Sequence, residues 1–189
     1  MKSASLTIFV PVVIMACSCT RVSTDQATKY PTVKAMIESF NDFSEIEGTF
    51  HIVSEEPLHI ELSPTISPGD PSDVIERRVM DTMIYGIYRT FIHTPVQRVT
   101  VTVLPQTLTI GRHPKLTPSL SSTTVTKTRE EALILLRKFF PTKDFSDLVT
   151  TENISGVNVP DGASETFNRI RFPDQGTPGV DTFYRELSK

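Results

Sequence analysis

Ser72-Asp-Val-Ile-Glu-Arg-Arg-Val-Met-Asp-Thr-Met-Ile-Tyr-Gly-Ile-Tyr-Arg-Thr-Phe-Ile-His-Thr-Pro-Val-Gln-Arg-Val-Thr-Val-Thr-Val103 changes its hydrophobic period within a few residues, and that change decides the fold class. In its first part Ile75, Val79, Met80, Met83, Ile84, Ile87, Tyr88 and Phe91 recur at helical spacing, which predicts a helix over 72–92. Its last part alternates Val99, Val101 and Val103 with Thr100 and Thr102, the period of a strand with one buried face. The second half of the helix is apolar over much of its circumference and so belongs at the centre of the domain. Glu76, Arg77, Arg78 and Asp81 fall in the first half, where they are expected to face water or pair weakly with one another. Asp70-Pro71-Ser72-Asp73 supplies a cap, a first-turn proline and an early acid. His93 follows the helix, and a charged imidazole there would complement the negative end of the helix dipole.

Working outward, Val33, Met36, Ile37, Phe40 and Phe43 predict a helix over 31–46, opened by Pro31. Strands are expected over 48–54 and 57–63, the second placing Leu58, Ile60 and Leu62 inward and His59 and Glu61 outward. On the other side, Leu108-Thr109-Ile110 reads as a return strand after Leu104-Pro105-Gln106. Thr123 to Thr126 is a further strand that runs into a helix. Thr128-Arg129-Glu130-Glu131 is a capping box, and Leu133, Leu135, Leu136, Phe139 and Phe140 follow before Pro141 stops the helix. The expected fold is α+β in the order α-β-β-α-β-β-β-α, a mostly antiparallel sheet with helices packed on one face. After Val149 glycines and prolines interrupt the pattern and apolar residues thin out. Residues 150–189 are therefore expected to form an irregular C-terminal segment behind a domain over 30–149.

Composition narrows the functional classes. A chain of 189 residues supports one domain with a substantial core. A formal net charge of −3, with no basic cluster, argues against nucleic acid as a partner. The two cysteines, Cys17 and Cys19, are too close in sequence to staple a fold. The rest of the chain has none, which excludes thiolate zinc sites and a cysteine nucleophile from the domain. No Gly-x-Ser-x-Gly turn, Ser-x-x-Lys motif or glycine-rich phosphate loop is present, and no cofactor is implied.

The start of the chain carries an address. Lys2 precedes an apolar run from Leu6 to Ala16, too short to span a bilayer and interrupted by Pro11. The run ends Ile14-Met15-Ala16-Cys17, which resembles the bacterial lipobox, with Ile14 and Ala16 matching and Met15 a less usual occupant. The resemblance covers only the first twenty residues. It implies removal of 1–16, acylation of Cys17, and a polar tether over 17–29. Ser18 after the cysteine, in place of Asp, implies the outer membrane of a Gram-negative cell, with the domain facing the periplasm. The partners expected are thus the membrane, through the N-terminal lipid, and another envelope protein.

Two sets of residues are candidates for chemistry or contact. His51, His59 and Glu61, with Glu55 and Glu56 nearby, offer nitrogen and oxygen donors of the kind zinc accepts. The same positions also describe the wet face of a half-buried sheet. Phe167, Phe172, Phe183 and Tyr184 stand in the sparse C-terminal segment, either covering the domain's own surface or serving as anchors for a partner. His113, between Arg112 and Lys115, reads as part of a surface loop. The functional expectation is a non-catalytic envelope lipoprotein acting as an accessory, assembly or protein-binding component. An immunity or exclusion lipoprotein and a tethered metal-dependent hydrolase are the alternatives.

Overall fold

A computed structural model describes residues 27–109, 115–118, 122–172 and 180–189. Cys17, Cys19, the apolar run before them, His113 and Ile110 lie outside these residues. The protein is α+β. Its main sheet has four strands in the order β1-β2-β4-β7, formed by Phe50–Ser54, His59–Leu62, Arg98–Val103 and Thr123–Thr128. Helix α2, Ser72–His93, runs across one face of this sheet. Around it gather α1 (Val33–Phe40), α3 (Arg129–Phe139), α4 (Glu165–Arg171) and α5 (Val180–Leu187).

The pairing β1–β2 is antiparallel, as a short connection permits, and so is β4–β7. β2 and β4 pair parallel, with Ile60 opposite Val101 and Leu62 opposite Val103. A parallel pair needs a crossover, and α2 is that crossover. The close seat of α2 on the sheet depends on Gly86: a Cβ there would stand 2.8 Å from Val101 Cγ1 and 2.9 Å from Leu62 Cδ1. Ile84, Ile87, Tyr88 and Phe91 of α2 belong to one buried core with Phe50, Ile60, Leu62, Val99, Val101 and Val103, and Tyr88 and Phe91 each face Phe145.

Four local expectations are corrected. The return strand after Pro105 does not fold back on β4. β5, Gln106–Thr109, instead continues alongside β3, Thr65–Ile66, in parallel, and pairs antiparallel with β6, Lys115–Pro118, in a second sheet. Leu104 N donates to Leu62 O and Gln106 N to Pro64 O, so the backbone stays extended through Pro105. Second, α1 stops at Phe40 because Asn41 takes the left-handed conformation (φ 56°) and donates its N–H to Ile37 O. Phe43, beyond that stop, packs on Tyr85 at 5.3 Å between ring centres. Third, Asp70 does not cap α2; its carboxylate accepts from Ser67 N at 2.8 Å, within the preceding loop, and Pro71 holds the cap position. The capping box of α3 forms as read, with Glu131 N donating to Thr128 Oγ1 and Glu131 Oε2 accepting from Thr128 N.

The fourth correction is the largest. The segment after Val149 is not irregular: it forms a hairpin, β8 (Val149–Ile154) and β9 (Val157–Ala163), followed by α4 and α5. Phe167, Ile170, Phe183 and Leu187 are fully buried in the same core as α2. A few well-spaced apolar residues suffice here because they complete an existing core instead of building their own. Phe183 meets Tyr88, Phe139 and Phe140 with ring centres 6.2, 5.8 and 5.5 Å away.

Candidate functional site

The C-terminal end of α2 gathers polar groups from four parts of the chain. His93 is fully buried. Its Nδ1 donates to Thr28 O at 2.9 Å, which fixes the tautomer and leaves Nε2 to accept from Arg89 Nη1 at 3.1 Å. Arg89 Nη1 also donates to Asp161 O at 3.0 Å, and the Asp161 carboxylate accepts from Thr28 N at 2.8 Å. The Arg89 guanidinium lies 4.2 Å from the centre of the Phe40 ring. Burial, with Arg89 and Lys29 nearby, pushes the His93 pKa down to about 4, while the Thr28 carbonyl and Asp161 pull the other way. His93 is therefore neutral, and the expected charged cap is corrected.

The dipole is met by other cations. Lys29 donates to Ile92 O, and Arg129 donates to Thr94 O at 2.5 Å and Val96 O at 3.1 Å. Tyr30 N takes His93 O at 2.8 Å. The carbonyls at the end of the helix are thereby satisfied by the segment that enters the domain and by the first residue of α3.

Near the middle of α2, Asp81 is not a wet residue. Its carboxylate accepts from Arg171 Nε at 2.6 Å and Arg171 Nη2 at 3.3 Å. This pair forms one wall of a cleft of about 270 Å³ whose lining includes Asp42, Arg78, Thr82 and Tyr85. Tyr85 is buried, and its hydroxyl makes no hydrogen bond of good geometry, though the Asp42 carboxylate is close enough to act on it. Burial raises the phenol pKa well above its ordinary value, so Tyr85 stays protonated and is no nucleophile. The cleft can accept a small polar group.

The face of the main sheet opposite α2 holds the first sequence candidates. His51 stands opposite Glu61, Glu61 opposite Thr102, and Thr102 opposite Thr124; His59 stands opposite Thr100, and Thr100 opposite Thr126. His59 Nε2, Thr102 Oγ1 and Thr124 Oγ1 form a chain of 2.8 Å hydrogen bonds, and Thr100 bonds Thr126 at the same distance. His51, Thr124 and Thr126 are exposed, while His59 and Glu61 are half-buried. His51, His59 and Glu61 thus share one face but do not converge. Among the described residues no group of three or more His, Cys, Asp or Glu is arranged to hold a metal ion.

The second set of candidates divides. Phe167 and Phe183 are core residues, and Tyr184 donates its hydroxyl to Ile170 O at 2.5 Å. Phe172 is 56% exposed, with the Arg171 guanidinium 4.9 Å from its ring centre. Sequence reading missed Arg89, Asp161, Arg171 and the burial of Asp81. The signal for Arg89 was visible: an arginine inside the run Met83 to Ile92 must find partners. One partner, His93, lies a single turn on, whereas the other, Asp161, is far away in sequence and carried no signal. Among the described residues, no helix is long and apolar enough to cross a membrane. No family model, curated protein or solved structure matches this chain.

Proposed function

We propose that the protein is a non-catalytic lipoprotein of the bacterial cell envelope, anchored through Cys17 and acting as a tethered protein-binding component. The observation that carries this reading is the apolar run closing on Ile14-Met15-Ala16-Cys17. Ser18 favours the outer membrane, with the domain in the periplasm. The disposition of the domain's buried polar groups is in keeping with a non-catalytic role. Arg89, His93, Asp161, Asp81 and Arg171 are engaged in fold-holding contacts between distant segments, which is the work of a scaffold.

The partner-facing surface in this reading is the sheet face opposite α2. Its central hydroxyls are paired with one another, so the face is polar and its hydroxyls are held in place, and it presents His51, Thr124 and Thr126 to solvent. Placing a photo-crosslinking residue at Thr126 in the native cell should capture a discrete envelope protein, whereas the same residue at Glu130, on the exposed side of α3, should not. Equal capture from both positions, or none from either, would count against the sheet face as the binding surface. An immunity or exclusion role belongs to the same class and is distinguished by the identity of the captured protein.

A further inference from the structure

We propose that the β8–β9 hairpin is a second membrane contact, whose aliphatic tip rests in the lipid surface to which the chain is tethered. This inference rests on the reading of Cys17 as the lipid anchor. The hairpin is a two-stranded arm. Its turn, Ile154-Ser155-Gly156-Val157, has positive φ at both central residues (Ser155 53°, Gly156 86°), the requirement of the tight turn that matches strand twist. Residues 155–160 are exposed throughout, and the arm's main contacts with the body lie at its base, to α4 and to the 3-10 turn Phe145–Leu148.

The arm holds two exposed valines among polar residues. Val157 is 64% exposed and Val159 37%, and alternation places both on one face of the ribbon. Glu152, opposite Val159, lays its side chain over Gly162, towards the base, where an added Cβ would meet its Cγ at 2.5 Å. The opposite face is closed by Asn153 Nδ2 donating to Asn158 Oδ1 at 2.9 Å. No lysine or arginine lies between Val149 and Ala163, so attraction to anionic headgroups plays no part and the contact is hydrophobic.

What selects a lipid surface as the occupant is the place where the tether joins the fold. Thr28 N donates to Asp161 Oδ1 at 2.8 Å, so the chain enters the domain against the base of this arm. From Cys17 to Thr28 the chain has eleven residues, a reach of at most about 40 Å when fully extended. From Asp161 to Val157 is four residues, about 13 Å of strand. The tip therefore falls well within the volume the tether allows next to the bilayer. Two valines are a weak anchor alone. On a chain already held by lipid the effective concentration of surface is high, so they suffice to set orientation.

The chain has no tryptophan, so a single introduced one reports its own surroundings. The experiment uses full-length lipidated protein in neutral phosphatidylcholine vesicles, comparing Val157→Trp with Val53→Trp, a control 55% exposed on the edge strand β1. The expected result is a blue-shifted emission and quenching by brominated lipid for Val157→Trp, and neither for Val53→Trp. Equal quenching of both, or of neither while the protein still floats with the vesicles, overturns the arm's role and leaves the anchor standing. Failure to float overturns both. A Val157→Trp emission that moves only on adding solubilised envelope proteins overturns the lipid assignment in favour of a protein partner.

Discussion

At the scale of single residues, a few buried polar groups join segments that are distant in sequence. His93 has an ordinary pKa of 6.5 and is held down at about 4, by burial first and by Arg89 and Lys29 after it. A depressed histidine pKa means that the unfolded chain binds the proton first as pH falls. Its stabilisation is fully present above pH 6.5, declines between about 6.5 and 4, and is gone below. Integrated over that window the loss is roughly 3 kcal/mol. Chemical denaturation at pH 7 and pH 4.5 should show it, and His93→Gln should flatten that part of the profile; an unchanged slope would mean the imidazole is not held neutral. Asp81 and Arg171 make the other test. Asp81→Ala leaves the guanidinium without its carboxylate in a largely buried place, and should cost about 2–3 kcal/mol. The double variant with Arg171→Met should recover part of that loss, as measured by a double-mutant cycle.

Among elements, α2 shows what the sequence made legible and what it did not. Its existence, its length and its central place follow from the recurrence of Met83, Ile84, Ile87, Tyr88 and Phe91, because periodic apolar residues imply one buried stripe. Its closeness to the sheet does not follow from periodicity. It rests on Gly86, where Ala would push into Val101 and Leu62. Gly86→Ala gains about 1 kcal/mol of helix propensity and loses about 1–3 kcal/mol through overpacking. The expected net effect is a modest fall in thermal midpoint, and a rise would show that the sheet yields. The strand after Pro105 was misread for a related reason. A local pattern can say that Gln106–Thr109 is extended, but pairing is decided by which edge is free, and β4 already lies between β2 and β7.

The C-terminal elements carry the same lesson. Phe167, Ile170, Phe183 and Leu187 looked sparse because density was judged along the chain, whereas burial depends on what they meet, here Tyr88, Phe139, Phe140 and Phe145. Truncation after Val149 should therefore abolish cooperative unfolding, because it uncovers several large aromatic residues at once. A truncated chain that melts as sharply as the full one would show that α4 and α5 are dispensable. The helix start at Thr128 was fully legible, since a capping box is local. Thr128→Ala should cost about 1 kcal/mol.

For the whole molecule, the candidate sites were legible in an uneven way. His51, His59 and Glu61 do lie on one sheet face, because alternation along a strand is a local rule. Whether they gather around an ion depends on side-chain convergence, which alternation does not encode. The His93–Arg89–Asp161–Thr28 network was invisible, since it joins the entrance of the chain, the central helix and the last hairpin. In this network Thr28, the end of α2 and Asp161 of the β8–β9 arm meet at one place. The account as a whole stands on the lipid at the start of that tether. The most direct measurement is the intact mass and N-terminal sequence of the protein isolated from its native membrane. The account predicts a chain beginning at Cys17 with acyl chains attached, and a Cys17→Ala variant left unprocessed or released from the membrane. An unmodified N-terminus at any other residue would contradict it.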